Sequence, residues 1–180
     1  GNNNTAVGYN AATAITTGGY NSALGDRALY SNTIGLYNVS VGSQCLYSNT
    51  EGESNTALGY QALFANTTAD YNTCLGANAG SKLTVTGNHT FIGNNAGKND
   101  QGSGYGGNTA VGSNAGQNMR SSYGSETNVA VGMNCYTGNS GSKNVYVGAF
   151  AGGSCGGPES SNVAVGYEAL RDTESAVTQS

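Results

Sequence analysis

Charge is scarce in this chain. Its 180 residues include 6 Lys and Arg and 10 Asp and Glu, for a net charge of -4. No basic patch is present to neutralise a phosphate backbone, which excludes charge-driven nucleic-acid binding. Trp is absent, and Pro and His occur once each. No apolar run approaches the ~20 residues that span a bilayer, so membrane insertion is not expected. No signal-peptide pattern opens the chain; its first residues already sit inside a repeat, as in a piece of something longer or a matured product. With one histidine and no recurring carboxylate pair, no Ser/His/Asp or Cys/His set can be assembled. The four cysteines show no CxxC or Cys/His spacing. Cys45, Cys74 and Cys135 hold positions occupied elsewhere by Ala, and Cys155 lies in a Gly-rich stretch. Gly104-Tyr105-Gly106-Gly107 lacks the Lys of a phosphate loop, and the Gly/Asp-rich calcium repeat is missing. The expectation is no catalysis, no cofactor and no metal.

What the chain does have is Gly, Asn, Ser and Thr, a composition that could mean disorder. Their placement argues otherwise. The phrase Asn-(Thr/Ser/Val)-x-(Val/Leu/Ile)-Gly-x-x-(Ala/Cys) recurs ten times, with its glycine at Gly8, Gly25, Gly42, Gly59, Gly76, Gly93, Gly112, Gly132, Gly148 and Gly166. The first five intervals are 17 residues and the rest 19, 20, 16 and 18. A fixed period in this range marks a solenoid, in which each coil buries its apolar face only when neighbours stack on it. The predicted fold is all-β: a parallel β-solenoid of about ten coils, expected to be trimeric. It forms one domain over 1–180, with regular coils over 1–97, looser Gly/Ser-rich coils over 98–170 and a cap or connector over 171–180.

Alternate side chains of a strand face opposite ways. In Asn55-Thr56-Ala57-Leu58, Thr56 and Leu58 share one face and Asn55 and Ala57 the other. The Leu58 column is aliphatic in every copy (Val7, Leu24, Val41, Leu58, Leu75, Ile92, Val111, Val131, Val147, Val165) and reads as the core. The column Ala6, Ala23, Ser40, Ala57 then faces outward, and its small size suits close approach of another chain. Glycine after the strand marks a corner that a β-carbon would penalise. The Ala or Cys three residues later (Ala28, Cys45, Ala62) would begin a second strand, giving two short strands and two corners per coil. In some coils Gly80, Gly97, Gly116 and Gly152 replace the Leu that follows.

Asn opens nine copies: Asn4, Asn21, Asn38, Asn55, Asn72, Asn108, Asn128, Asn144 and Asn162. His89 takes the place in the sixth. Stacked amides hydrogen-bond along a column, so this is a structural ladder, and Asn32, Asn49 and Asn66 form a second one. Tyr30, Tyr47 and Phe64 share a column, as do Tyr20, Tyr37 and Tyr71. With coils ~4.8 Å apart these rings stack along the surface. Together with Tyr105 in an insertion, these tyrosines are the candidate surface-binding residues. Insertions at Asn99–Tyr105 and Gly116–Ser125 put loops on one side of the rod, where solenoids often bind. Asn3, Asn38, Asn66 and Asn88 sit in N-x-Ser/Thr sequons.

The phrases Asn4-Thr5-Ala6-Val7-Gly8-Tyr9, Asn55-Thr56-Ala57-Leu58-Gly59-Tyr60-Gln61-Ala62-Leu63 and Asn162-Val163-Ala164-Val165-Gly166-Tyr167-Glu168-Ala169-Leu170 resemble the β-roll head repeats of trimeric autotransporter adhesins and the repeat shafts of bacteriophage tail fibres. The likeness covers nearly the whole chain, but a 17-residue coil is longer than the compact adhesin-head coil. It implies an extracellular, cell-surface or virion rod, homotrimeric, meeting a cell-surface glycan or receptor through many weak contacts. Two other functions are compatible with the repeats. One is an extracellular filament growing end to end. The other is an ice-binding solenoid, although the Thr-x-Thr array it calls for has Val, Leu or Ile at each partner position.

Overall fold

The computed structural model describes residues 1–101, 106–119, 127–137, 141–153 and 160–171. Ten three-residue strands build it: β1 (Thr5–Val7), β2 (Ser22–Leu24), β3 (Val39–Val41), β4 (Thr56–Leu58), β5 (Thr73–Leu75), β6 (Thr90–Ile92), β7 (Thr109–Val111), β8 (Val129–Val131), β9 (Val145–Val147) and β10 (Val163–Val165). They pair in sequence order as one parallel sheet. Equivalent residues of successive repeats are partners, such as Ala57 with Cys74 and Leu58 with Leu75. The chain is therefore a β-solenoid, and the nine steps between strands make a rod about 45 Å long at the usual coil spacing.

Each coil has one strand rather than two. After the corner glycine, alternate residues adopt left-handed backbone: Arg27 (φ 51), Leu29 (φ 54), Gln61 (φ 54) and Leu63 (φ 51). This alternation curls the segment that would have been a second strand. Its backbone still bonds coil to coil, since Leu29 N–H donates to Cys45 O at 2.9 Å and Leu46 N–H to Ala62 O at 3.0 Å. At the corner itself Gly59 has φ +136, and a Cβ there would lie 2.6 Å from the carbonyl carbon of Gly76 in the next coil. Only a residue without a side chain fits both demands.

The strand faces are the reverse of the sequence expectation. The middle residues Ala23, Ser40, Ala57, Cys74, Phe91, Ala110, Ala130, Tyr146 and Ala164 are buried, and the aliphatic column points outward. Leu24 is 50% exposed, Leu58 52% and Val165 69%. The small column therefore lines the interior and offers no face to another chain. The reason is volume. Each coil is narrow, and the turn segment already sends Ala and Leu side chains inward, such as Ala28 with Leu29 and Ala62 with Leu63. Little room remains opposite them. In two of the coils whose turn carries Gly instead of Leu, a large strand residue fills the gap: Phe91 packs over Gly97 and Tyr146 over Gly152, where an added Cβ would lie 2.5 and 2.7 Å from the rings. Met119 does the same over Gly116. Tyr136 reverses the pairing, entering from the turn beside the small Ala130.

Candidate functional site

The buried asparagine ladder sets which way each strand faces. Asn38 N–H donates to Asn21 Oδ1 at 2.9 Å, Asn55 to Asn38 at 3.0 Å and Asn72 to Asn55 at 3.0 Å. Several of these amides also donate across their own coil, as Asn38 Nδ2 does to Gly52 O and Asn55 Nδ2 to Ala69 O, both at 2.8 Å. The run starts at Asn4, which accepts from Asn21 N–H, and continues through Asn108, Asn128, Asn144 and Asn162. Buried side-chain amides are costly unless bonded, and here they tie neighbouring coils together.

His89 maintains the ladder with an imidazole. The backbone N–H of His89 donates to Asn72 Oδ1 at 3.0 Å, and the ring Nδ1 accepts from Asn108 N–H at 3.3 Å. Nδ1 must therefore be unprotonated, which places the ring proton on Nε2, 3.1 Å from Thr86 Oγ1. Asp100, also buried, lies 3.8 Å from Nδ1 and accepts from Asn108 Nδ2 at 3.0 Å. Burial pushes the His89 pKa down to about 4. Desolvation outweighs the nearby carboxylate because Nδ1 is already engaged as an acceptor. The second ladder runs from Asn66 to Asn49 to Asn32 at 2.7 Å per step. It stops where Leu83 takes the next position, leaving Asn66 Oδ1 without a partner. Of the sequon residues, Asn38 and Asn66 are fully buried, so the folded chain presents neither for modification.

Two surface features remain. The first is the outward face of the sheet, where the aliphatic column runs along the whole rod and is flanked on β4 to β7 by half-buried Thr56, Thr73, Thr90 and Thr109. The second is the tyrosine columns. Tyr20 and Tyr37 stack with centroids 5.1 Å apart and are more than half exposed. Tyr30, Tyr47 and Phe64 stack at 5.1 and 5.2 Å and are half-buried. Tyr71 is 62% exposed. Tyr105 and Cys155 lie outside the described residues, as do 172–180 of the expected cap and most of the second insertion.

The chemistry within reach is limited. Burial raises the Cys45 and Cys135 thiols to about 11 and the Cys74 thiol well above its ordinary value, so none of the three supplies a thiolate. Among the described residues no three of His, Cys, Asp and Glu gather to hold a metal ion. No helix long and apolar enough to cross a membrane occurs among the described residues. The groove beside Gln117, Asn134 and Phe150 is open, with Arg171 set 5.2 Å from the Phe150 ring centroid. It offers amides and one cation, which can hydrogen-bond a ligand but make no acid–base pair. No protein-family profile, curated protein or solved structure matches this chain.

Proposed function

We propose that this chain is a non-enzymatic structural and adhesive module, the shaft or head of a viral fibre or bacterial surface adhesin, working outside the cell as a homotrimer. The observation that carries this reading is the outward aliphatic column. Val7, Leu24, Leu58, Ile92 and Val165 stand 36% to 69% exposed in one in-register line. A stripe about 45 Å long and about 10 Å wide covers on the order of 450 Å², the size of the largest apolar patches on ordinary monomers, which are often functional. Packing that stripe against the same stripe of other copies removes it from water and suits a straight, stiff fibre. Identical loops and tyrosine columns then repeat around the axis, and weak contacts to a glycan or receptor add through effective concentration.

Light scattering over a range of protein concentrations tests this. A trimer of constant mass is the expected result. A monomer at all concentrations overturns the assembly, and open-ended growth replaces it with a filament. A specific observation supports a second reading, an ice-binding face, because the Thr column stands on the outer side of the sheet. Ice-crystal shaping by a monomer would favour that reading.

A further inference from the structure

The residue before each of the first six ladder positions has left-handed backbone: Asn3, Tyr20, Tyr37, Ser54, Tyr71 and Asn88 have φ between 55 and 63. Asn suits that conformation, whereas a bulky side chain there is strained. Three of these positions nevertheless carry tyrosines that are 54% to 62% exposed. They bury little of their rings in return for that strain, so fold stability is a poor account of them.

The column has one interruption. Tyr20 and Tyr37 are stacked, Ser54 follows, and Tyr71 comes next. The backbone does not change across the interruption: Tyr37 N–H donates to Gly19 O at 3.1 Å, Ser54 N–H to Leu36 O at 2.9 Å and Tyr71 N–H to Glu53 O at 3.1 Å. Tyr37 and Tyr71 are thus two coils apart, about 10 Å at the usual spacing. A ring inserted over Ser54 would lie about 5 Å from each tyrosine, within stacking range. We propose that the Ser54 position is a binding slot for one neutral pyranose ring, held between Tyr37 and Tyr71. A pyranose presents C–H groups to aromatic faces above and below and its hydroxyls around the rim. Ser54 and the carboxylates of Glu51, Glu53 and Asp70 border the slot in sequence, and Asp70 Oδ1 is fixed by Glu53 N–H at 2.7 Å. These groups accept hydrogen bonds from sugar hydroxyls. No Lys or Arg occurs between Asn49 and Thr73, so a sialylated, sulfated or phosphorylated sugar would meet only like charge. The proposal rests on the adhesive reading above and names its ligand class.

Saturation-transfer NMR on the full chain, with methyl glucopyranoside, methyl galactopyranoside and N-acetylglucosamine as probes and sialyllactose as the anionic comparison, tests it. Transfer to the ring protons of at least one neutral sugar is expected. Ser54→Tyr should abolish that transfer by completing the stack, in a backbone position that already accepts Tyr. Tyr71→Ala should weaken binding by about tenfold. Equal binding by Ser54→Tyr and the parent overturns the slot, as does stronger transfer to sialyllactose or none to any neutral probe. The mass of each protein separates this from assembly. A trimer that binds no neutral sugar loses the slot and keeps the fibre, whereas a monomer that binds one keeps the slot and loses the trimer. Loss of the oligomer in Tyr71→Ala with sugar binding unchanged would make the tyrosines a subunit contact and overturn the proposal.

Discussion

Replacing His89 with Asn should remove a pH-dependent weakness from the middle of the rod. The folded chain needs Nδ1 of His89 unprotonated, because it accepts the Asn108 N–H and so carries the ladder from β6 to β7. Protonation would break that link and turn Nδ1 toward Asp100 Oδ2, 3.8 Å away. Burial holds the pKa near 4 in the folded state, whereas an unfolded imidazole titrates near 6.5. Between these values the unfolded chain binds the extra proton. Stability is therefore complete above about pH 6.5, falls as the pH drops, and has lost its full share below about pH 4. The proton linkage gives a loss of about 2 kcal/mol at pH 5 and only about 0.2 kcal/mol at pH 7. For a chain of this length that corresponds to roughly 4–8 °C in Tm. Carboxylates titrate over the same range, so the useful quantity is the fall in Tm from pH 7 to pH 5 in the parent minus that in His89→Asn, measured by circular dichroism. Asn should also restore the amide acceptor used elsewhere in the column. Because the chain has one histidine, a single imidazole resonance reports its titration directly by NMR. An equal fall in both proteins, or a folded-state titration near 6.5, would refute the account.

Other changes probe the two faces of the sheet. Leu24→Asp with Leu58→Asp should reduce the particle mass to that of a monomer, with Tm within a few degrees of the parent, because both side chains are half exposed in the single chain; an unchanged oligomer would exclude this face from assembly. Phe91→Ala should cost about 3–5 kcal/mol through the cavity it leaves. Adding Gly97→Leu should recover more than half, since Gly97 at φ +57 already has the backbone that Leu29, Leu46 and Leu63 adopt. Simple additivity in urea melts would show that the two sites do not share one space. Gly59→Ala combines an unfavourable φ with overlap against the next coil and should cost more than about 3 kcal/mol; a melt within a degree of the parent would show that the coils shift freely to accommodate it.

The repeat period, the single parallel sheet and the direction of stacking follow from the spacing of glycine and asparagine in the sequence. The orientation of the strands does not follow from hydropathy, because a column of Val, Leu and Ile looks the same whether it fills a core or meets another surface. Two other patterns in the same residues decide it. An asparagine column that bonds coil to coil must be buried to be worth its desolvation, and alternation then puts Ala57 inward with Asn55 and Leu58 outward. The second pattern is compensation at a separation of six residues. Ala23 goes with Leu29, Phe91 with Gly97, Ala130 with Tyr136 and Tyr146 with Gly152, so that a coil seldom carries two large side chains at these places. Residues that trade volume in this way share one enclosed space, which makes the middle strand position interior whatever its hydrophobicity. The His89 site was less accessible to such reasoning. Its ladder place was visible from the period, and Asp100, seventeen residues after Leu83, keeps the register of Asn32, Asn49 and Asn66, but no other copy of the repeat sets a carboxylate beside an imidazole. The tyrosine gap lies between these cases. The column is periodic and the missing ring can be counted, but its exposure and left-handed backbone become apparent only once the coil is closed.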